Sequence, residues 1–174
     1  MTHTLRIAVS GPDRTGLVAA LTGRLFDLGA ELADTSFATL GQAAEFTLVC
    51  DLPDAISADD VRQDLAGLPA LAGYSLWVGP FDLPEEAGVG STITHRLLLA
   101  GGNRPGLVAR LAEVFGEFGA GIVRLDSNRL SDGKTQRYLI RFEINLPDDR
   151  EMACLATIKN TAEDLGLTFS FERL

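Results

Sequence analysis

The 174-residue chain is 46% hydrophobic and 22% charged, a globular balance that excludes wholesale disorder. Its 24 acidic and 15 basic residues leave a formal charge of −9. The two lysines, Lys134 and Lys159, and scattered arginines form no basic cluster, which argues against direct binding to nucleic acid.

Apolar runs such as Leu97-Leu98-Leu99-Ala100 are far shorter than the roughly 18–20 residues of a membrane-spanning helix. The start, Met1-Thr2-His3-Thr4-Leu5-Arg6, lacks the basic and apolar regions of a signal peptide, so a soluble, cytoplasmic protein is expected. Cys50 and Cys154 lie in separate apolar patterns without a CxxC spacing. They read as small buried hydrophobes, with no metal site implied.

In chain order, Leu5, Ile7 and Val9 alternate with Arg6 and Ala8, as in a strand burying one face. The turn Ser10-Gly11-Pro12-Asp13-Arg14-Thr15-Gly16 leads into Leu17, Val18, Leu21, Leu25 and Leu28 at helical spacing, and Gly29 falls where a helix end needs positive φ. Asp13 is an N-cap type, and Gly16 lets a neighbour or ligand approach the backbone. Two strands follow, near residues 32–40 and 45–52, joined at Gly41-Gln42-Ala43. Ser57, followed by Asp59 and Asp60, opens a helix over about 57–68, and a last strand runs near 74–78.

The pattern then repeats. Gly11-Pro12-Asp13-Arg14-Thr15-Gly16-Leu17-Val18-Ala19 aligns with Gly101-Gly102-Asn103-Arg104-Pro105-Gly106-Leu107-Val108-Ala109 at an offset of 90, and Leu21, Gly29 and Ala30 meet Leu111, Gly119 and Ala120. Asn103 reads as the second N-cap and Pro105 as a first-turn residue. Strands follow near 122–130 and 138–146 around a Ser131-Asp132-Gly133 turn, then a helix near 149–165 and a strand near 168–172. Two βαββαβ units result, 1–81 and 92–174, with a Pro-, Gly- and acid-rich linker at 82–91. Each unit is expected to be an α+β, ferredoxin-like fold: a four-stranded antiparallel sheet with both helices on one face.

A helix N-terminus reached through a glycine turn suits a carboxylate, and Arg14 and Arg104 add a cation to each turn. The same features also serve any strand-to-helix junction. His3 and His95 read as exposed strand-end residues in equivalent places, and Asp54, Asp59, Asp60 and Asp64 as helix-start charges.

The turn motifs, with Gly29-Ala30-Glu31-Leu32-Ala33-Asp34 and Glu45-Phe46-Thr47, resemble the ACT domain family, and in particular the glycine cleavage system transcriptional repressor group. That resemblance implies a small amino acid, glycine or serine-like, bound where the turn of one unit faces a strand of a neighbour. Carried over by position, the ligand-binding residues are Gly11, Asp13, Arg14, Gly16 and Leu17, with Asn103, Arg104, Gly106 and Leu107. It further implies an accessory regulator acting through a transcription factor, with no cofactor and no catalytic residue. Pairing of exposed sheet edges makes a homodimer the expected assembly. A ligand-independent adaptor is the alternative, favoured by Gly121 where amino-acid-binding members often place Asn. A detached regulatory subunit of an enzyme is the third.

Overall fold

The computed structural model describes residues 2–82, 91–131 and 136–174. The chain divides into two compact units, Met1–Leu83 and Pro84–Leu174. Most of the expected 82–91 linker, and the Asp132-Gly133 turn expected in the second hairpin, lie outside the described residues.

Unit 1 runs β1 (Thr2–Pro12), α1 (Leu17–Asp27), β2 (Glu31–Leu40), β3 (Ala43–Pro53), α2 (Ala58–Ala66) and β4 (Ser75–Pro80). Unit 2 runs β5 (His95–Gly102), α3 (Leu107–Glu117), β6 (Gly121–Ser131), β7 (Gln136–Asn145), α4 (Glu151–Asp164) and β8 (Leu167–Arg173). The sheets order as β2-β3-β1-β4 and β6-β7-β5-β8, with every pairing antiparallel. The expected βαββαβ plan holds in both halves.

Alternation decides which sheet face is buried. Leu5, Ile7 and Val9 of β1 and Phe46, Leu48, Cys50 and Leu52 of β3 join Leu17, Leu21 and Leu25 of α1 and Val61 and Leu65 of α2 in one core. In unit 2 the same rows hold Leu97 and Leu99 with Ile140, Phe142 and Ile144, against Leu111, Phe115, Cys154 and Ile158. Phe115 and Phe142 meet edge to face with centroids 5.0 Å apart. Each fully buried leucine contributes about 1.5–3 kcal/mol by area, so Leu21 and Leu111, both wholly buried, anchor equivalent helices.

The ends of α1 and α3 explain the repeated Gly-Ala pair. Gly29 has φ 79° and Gly119 φ 66°. With the chain turned left-handed there, Ala30 N–H reaches the carbonyl of Leu25 and Gly29 N–H that of Phe26. Ala120 and Gly119 bond Phe115 and Gly116 in the same way. This double closure satisfies carbonyls that a helix end otherwise leaves open.

At α2, Ser57 is the N-cap expected from the sequence. Its hydroxyl accepts from Asp60 N–H while the Asp60 carboxylate accepts from Ser57 N–H. The hydrogen bonds from Ser57 hold the Asp60 carboxyl below its ordinary value. The helix ends at Ala66, before a 3-10 turn at Pro69–Leu71, and α4 begins after another at Asp148–Arg150. Arg24 of α1 grips both carboxylate oxygens of Asp64 on α2, which holds that carboxyl low as well.

One shared irregularity left no trace in the pattern. β2 carries an extra residue between Leu32 and Thr35 where it pairs with β3, and β6 carries one between Ile122 and Arg124 where it pairs with β7. Both are β-bulges, placed alike in the two units, on the strand at the sheet edge.

Candidate functional site

The strand-to-helix turn is built as a brace. At the end of β1, Gly11 lies under the Tyr74 ring: a Cβ there would stand 2.6 Å from Cγ and 2.9 Å from Cε1. Tyr74 hydroxyl donates to the Pro12 carbonyl. The Arg14 guanidinium lies 5.5 Å from the Tyr74 ring centre and donates to the Ala72 carbonyl at 3.0 Å. Asp13 N–H donates to the Gln42 carbonyl at 2.8 Å, tying the turn to the β2–β3 hairpin.

The expected caps are not what the structure uses. The N-cap of α1 is Gly16, with φ 92° and ψ −3°, and the N-cap of α3 is Gly106, with φ 84° and ψ 1°. Neither helix start receives a side-chain hydrogen bond. Asp13 and Asn103 stand three residues too early to cap, and Pro105 precedes the helix instead of entering its first turn. The physical reason is the left-handed φ, which a glycine adopts cheaply and an Asp or Asn only at a cost. Leu17 N–H makes a long bond of 3.4 Å to the Arg14 carbonyl. The N–H groups of Val18 and Ala19 fall among the first four of the helix, which have no partner within it.

An open hollow of about 540 Å³ lies over this helix start, lined by Asp13, Arg14, Thr15, Gly16, Leu17, Val18, Ala19 and Phe37. Phe37 comes from β2 and packs edge to face on Phe46 at 6.0 Å. Of the residues singled out in unit 1, Asp13, Arg14, Gly16 and Leu17 therefore meet at one place, while Gly11 supports the wall behind. The Leu17 side chain is buried in the core, so only its backbone faces the hollow.

Unit 2 repeats the plan. Asn103, Arg104 and Gly106 are exposed at the start of α3, and the Leu107 side chain is buried. A Cβ on Gly101 would stand 2.7 Å from the Gly166 carbonyl oxygen and 2.7 Å from Leu167 Cδ2, so here too the helix-to-strand loop leans on the glycine. Arg104 reaches that same loop: its Nη2 lies 3.8 Å from where a Cβ on Gly166 would be. Both arginines fold back on their own unit. Gly121 is the first residue of β6, paired with Asn145.

The two histidines are not equivalent. His3 is partly exposed, 3.8 Å from Asp54, but His95 is fully buried. The offset of 90 places His95 on Leu5, not on His3, and Leu5 is an inward core position. His95 Nδ1 lies 2.9 Å from Thr94 Oγ1, and Nε2 lies 3.4 Å from Glu151 Oε1, near enough to pair when the ring is protonated but not aligned as a hydrogen bond. Glu151 is held in turn by Arg173, which also bonds Asp148. Carrying the repeat offset through to the strand start would have revealed this inward histidine. The acidic residues form no metal centre: among the described residues no group of three or more His, Cys, Asp or Glu is placed to hold an ion.

Both thiols are buried, and burial pushes each up to about 11. No helix among the described residues is long and apolar enough to cross a membrane.

The two βαββαβ units share a glycine-turned strand-to-helix junction and a bulged edge strand, a tandem of one ferredoxin-like plan. The ACT domain family model matches residues 3–76, so the first unit belongs to that family, and the second repeats its topology, bulge and turn. The chain is similar in structure to an uncharacterised protein from Galdieria sulphuraria, with a TM-score of 0.79 and 19% identity over 100% of this chain and 99% of that one. It is similar as well to a candidate glycine cleavage system transcriptional repressor, with a TM-score of 0.65 and 14% identity over 100% and 99% of the two chains. At these identities the likeness shows a shared fold. None of the curated proteins matches the sequence.

Proposed function

We propose that the chain is an amino-acid-binding regulatory protein that acts through a protein partner, and that unit 1 takes its ligand at the start of α1. The observation that carries this reading is the uncapped helix N-terminus opening into the hollow beside Asp13 and Phe37. A carboxylate there would accept from the backbone N–H groups of Val18 and Ala19 and meet the positive end of the helix dipole. The neighbouring Asp13 carboxylate suits the ammonium of the same zwitterion. A short zwitterion such as glycine or serine suits a wall that sets Asp13, Arg14 and Thr15 beside the apolar Val18, Ala19 and Phe37. Asn103, Arg104, Gly106 and the Leu107 backbone offer a second site of the same kind in unit 2.

The partner is a transcription factor controlling amino-acid breakdown, a reading supported by the likeness to the candidate glycine cleavage repressor. A charge of −9 with no basic cluster favours action through that partner over direct contact with DNA. In this reading the protein is cytoplasmic, forms a homodimer and performs no catalysis.

One observation favours a ligand-independent adaptor instead: Arg14, the cation best placed for a carboxylate, already binds Ala72 and Tyr74. Thermal denaturation with each of the twenty amino acids separates the two. At 100 times its Kd a ligand of the native state adds about 2.7 kcal/mol. That is a rise of roughly 10 °C or more for a unit of this size. Glycine or serine should give it, and Gly16→Pro should abolish it in unit 1. An adaptor shows no shift with any amino acid.

A further inference from the structure

On the sheet face of unit 2 that points away from its helices, the strand registers set charges in rows. One row crosses all four strands as Arg124, Glu143, Arg96 and Glu172. The next reads Asp126, Arg141, Leu98 and Ser170. Signs alternate along the first row and between the rows. Arg96 Nε bonds Glu143 at 2.9 Å, Arg124 stands 3.6 Å from the other Glu143 oxygen, and Arg96 approaches Glu172 at 4.0 Å. These residues line a hollow of about 410 Å³ with the partly exposed Leu98 in its floor.

The three arginines and three acids cancel, on a chain whose total charge is −9. At the equivalent positions unit 1 has Asp34, Val49, Arg6 and Gly79 in the first row and Ser36, Thr47, Ala8 and Trp77 in the second, and Arg6 sits 4.5 Å over the Trp77 ring. The checkerboard therefore belongs to unit 2 and does not follow from the fold.

We infer that this face binds the same face of a second copy of the chain. A two-fold axis parallel to the strands carries β6 onto β8 and β7 onto β5. It sets Arg124 against Glu172 of the second copy, and Glu143 against its Arg96. An axis across the strands, between the two rows, sets Arg124 against Asp126 and Glu143 against Arg141. Opposite charges meet in either case, and both axes keep the strands of the stacked sheets nearly aligned, as packed sheets prefer. A partner of one sign, such as a nucleic acid backbone or an acidic peptide, would meet as much repulsion as attraction. Four strands about 4.8 Å apart and eight residues long cover roughly 500 Å² on each copy, so the pair removes about 1,000 Å² from water, the lower bound for a specific interface. The proposed self-association then runs through a sheet face and not through the sheet edges expected from the sequence, and it is independent of amino-acid binding.

Sedimentation velocity of the full chain without ligand tests it. The wild-type chain should dimerise at micromolar to ~100 μM concentrations, and the dimer should weaken by about tenfold or more as salt screens the facing charges. Arg124→Glu with Arg141→Glu makes an acidic face; Asp126→Arg with Glu172→Arg makes a basic one. Each variant alone should be monomeric, and an equimolar mixture should restore a dimer. A monomeric wild type, a dimer that both variants leave unchanged, or a mixture that stays monomeric would overturn the inference. If circular dichroism shows either variant unfolded, the exposed Ser170→Arg replaces them, with about tenfold weaker dimerisation expected and unchanged dimerisation counting against the face.

Discussion

Gly11→Ala probes the brace behind the candidate site. An alanine Cβ would overlap the near edge of the Tyr74 ring, atoms that cannot yield without moving the whole side chain. Overpacking of this sort costs about 1–3 kcal/mol. Displacing the ring also removes the Tyr74 hydrogen bond to Pro12, worth about 1 kcal/mol, and the Arg14 contact with the ring, worth about 0.5–1 kcal/mol. The total is about 2.5–5 kcal/mol, a fall in Tm of roughly 10–40 °C for an 80-residue unit. Calorimetry of a double-mutant cycle with Tyr74→Ala isolates the cause. The clash vanishes with the ring, so Gly11→Ala added to Tyr74→Ala should cost under about 0.5 kcal/mol, a coupling of about 2 kcal/mol or more. Gly101→Ala should behave differently: its Cβ meets the Gly166 backbone oxygen, and Leu167→Ala should rescue it only in part. Additive losses at Gly11 and Tyr74, or a Gly11→Ala protein as stable as wild type, would refute this reasoning.

Four further outcomes follow from local geometry. Ser57→Ala removes the α2 capping box and should cost about 1 kcal/mol by chemical denaturation. The Asp64 carboxyl is held low by the Arg24 hydrogen bond, so the stability it adds is present above about pH 4 and is lost as pH falls through its depressed native value. Asp64→Asn should therefore flatten the acid limb of the stability profile of unit 1, measured as Tm from pH 7 down to pH 2. Cys50 and Cys154, buried and pushed up to about 11, should resist a thiol reagent at pH 8 in the native protein and react on unfolding. Raising the pH from about 8.5 towards 11 should lower stability, because the unfolded thiols ionise first.

The architecture could be read from the chain because its signals are repeated. Leu5, Ile7 and Val9 alternate, Leu21 and Leu25 recur at helical spacing, and an offset of 90 ties Gly29 to Gly119, whose left-handed φ closes both helices. The site was legible as a place but not as a geometry. Asp13 and Asn103 are good caps by residue type, yet a glycine in the left-handed region takes the N-cap position, and the backbone choice outranks the side-chain preference. Arg14 promised a carboxylate partner; its role in bracing Ala72 and Tyr74 depends on contacts some sixty residues away, which no local pattern reveals. The bulges were hidden because β2 is exposed along nearly its whole length, leaving no alternation whose break could mark an extra residue. His95 was misplaced by matching one histidine with the other, where the repeat itself aligns it with a core leucine.

The most direct measurement is a ¹⁵N–¹H correlation spectrum of the full chain titrated with glycine and with serine to about a hundred times the expected Kd. Saturable shifts of the Gly16, Leu17, Val18 and Ala19 amides are expected, with smaller changes at Phe37. Amides at the head of α1 that stay unmoved by either compound, in a folded protein, would contradict binding there.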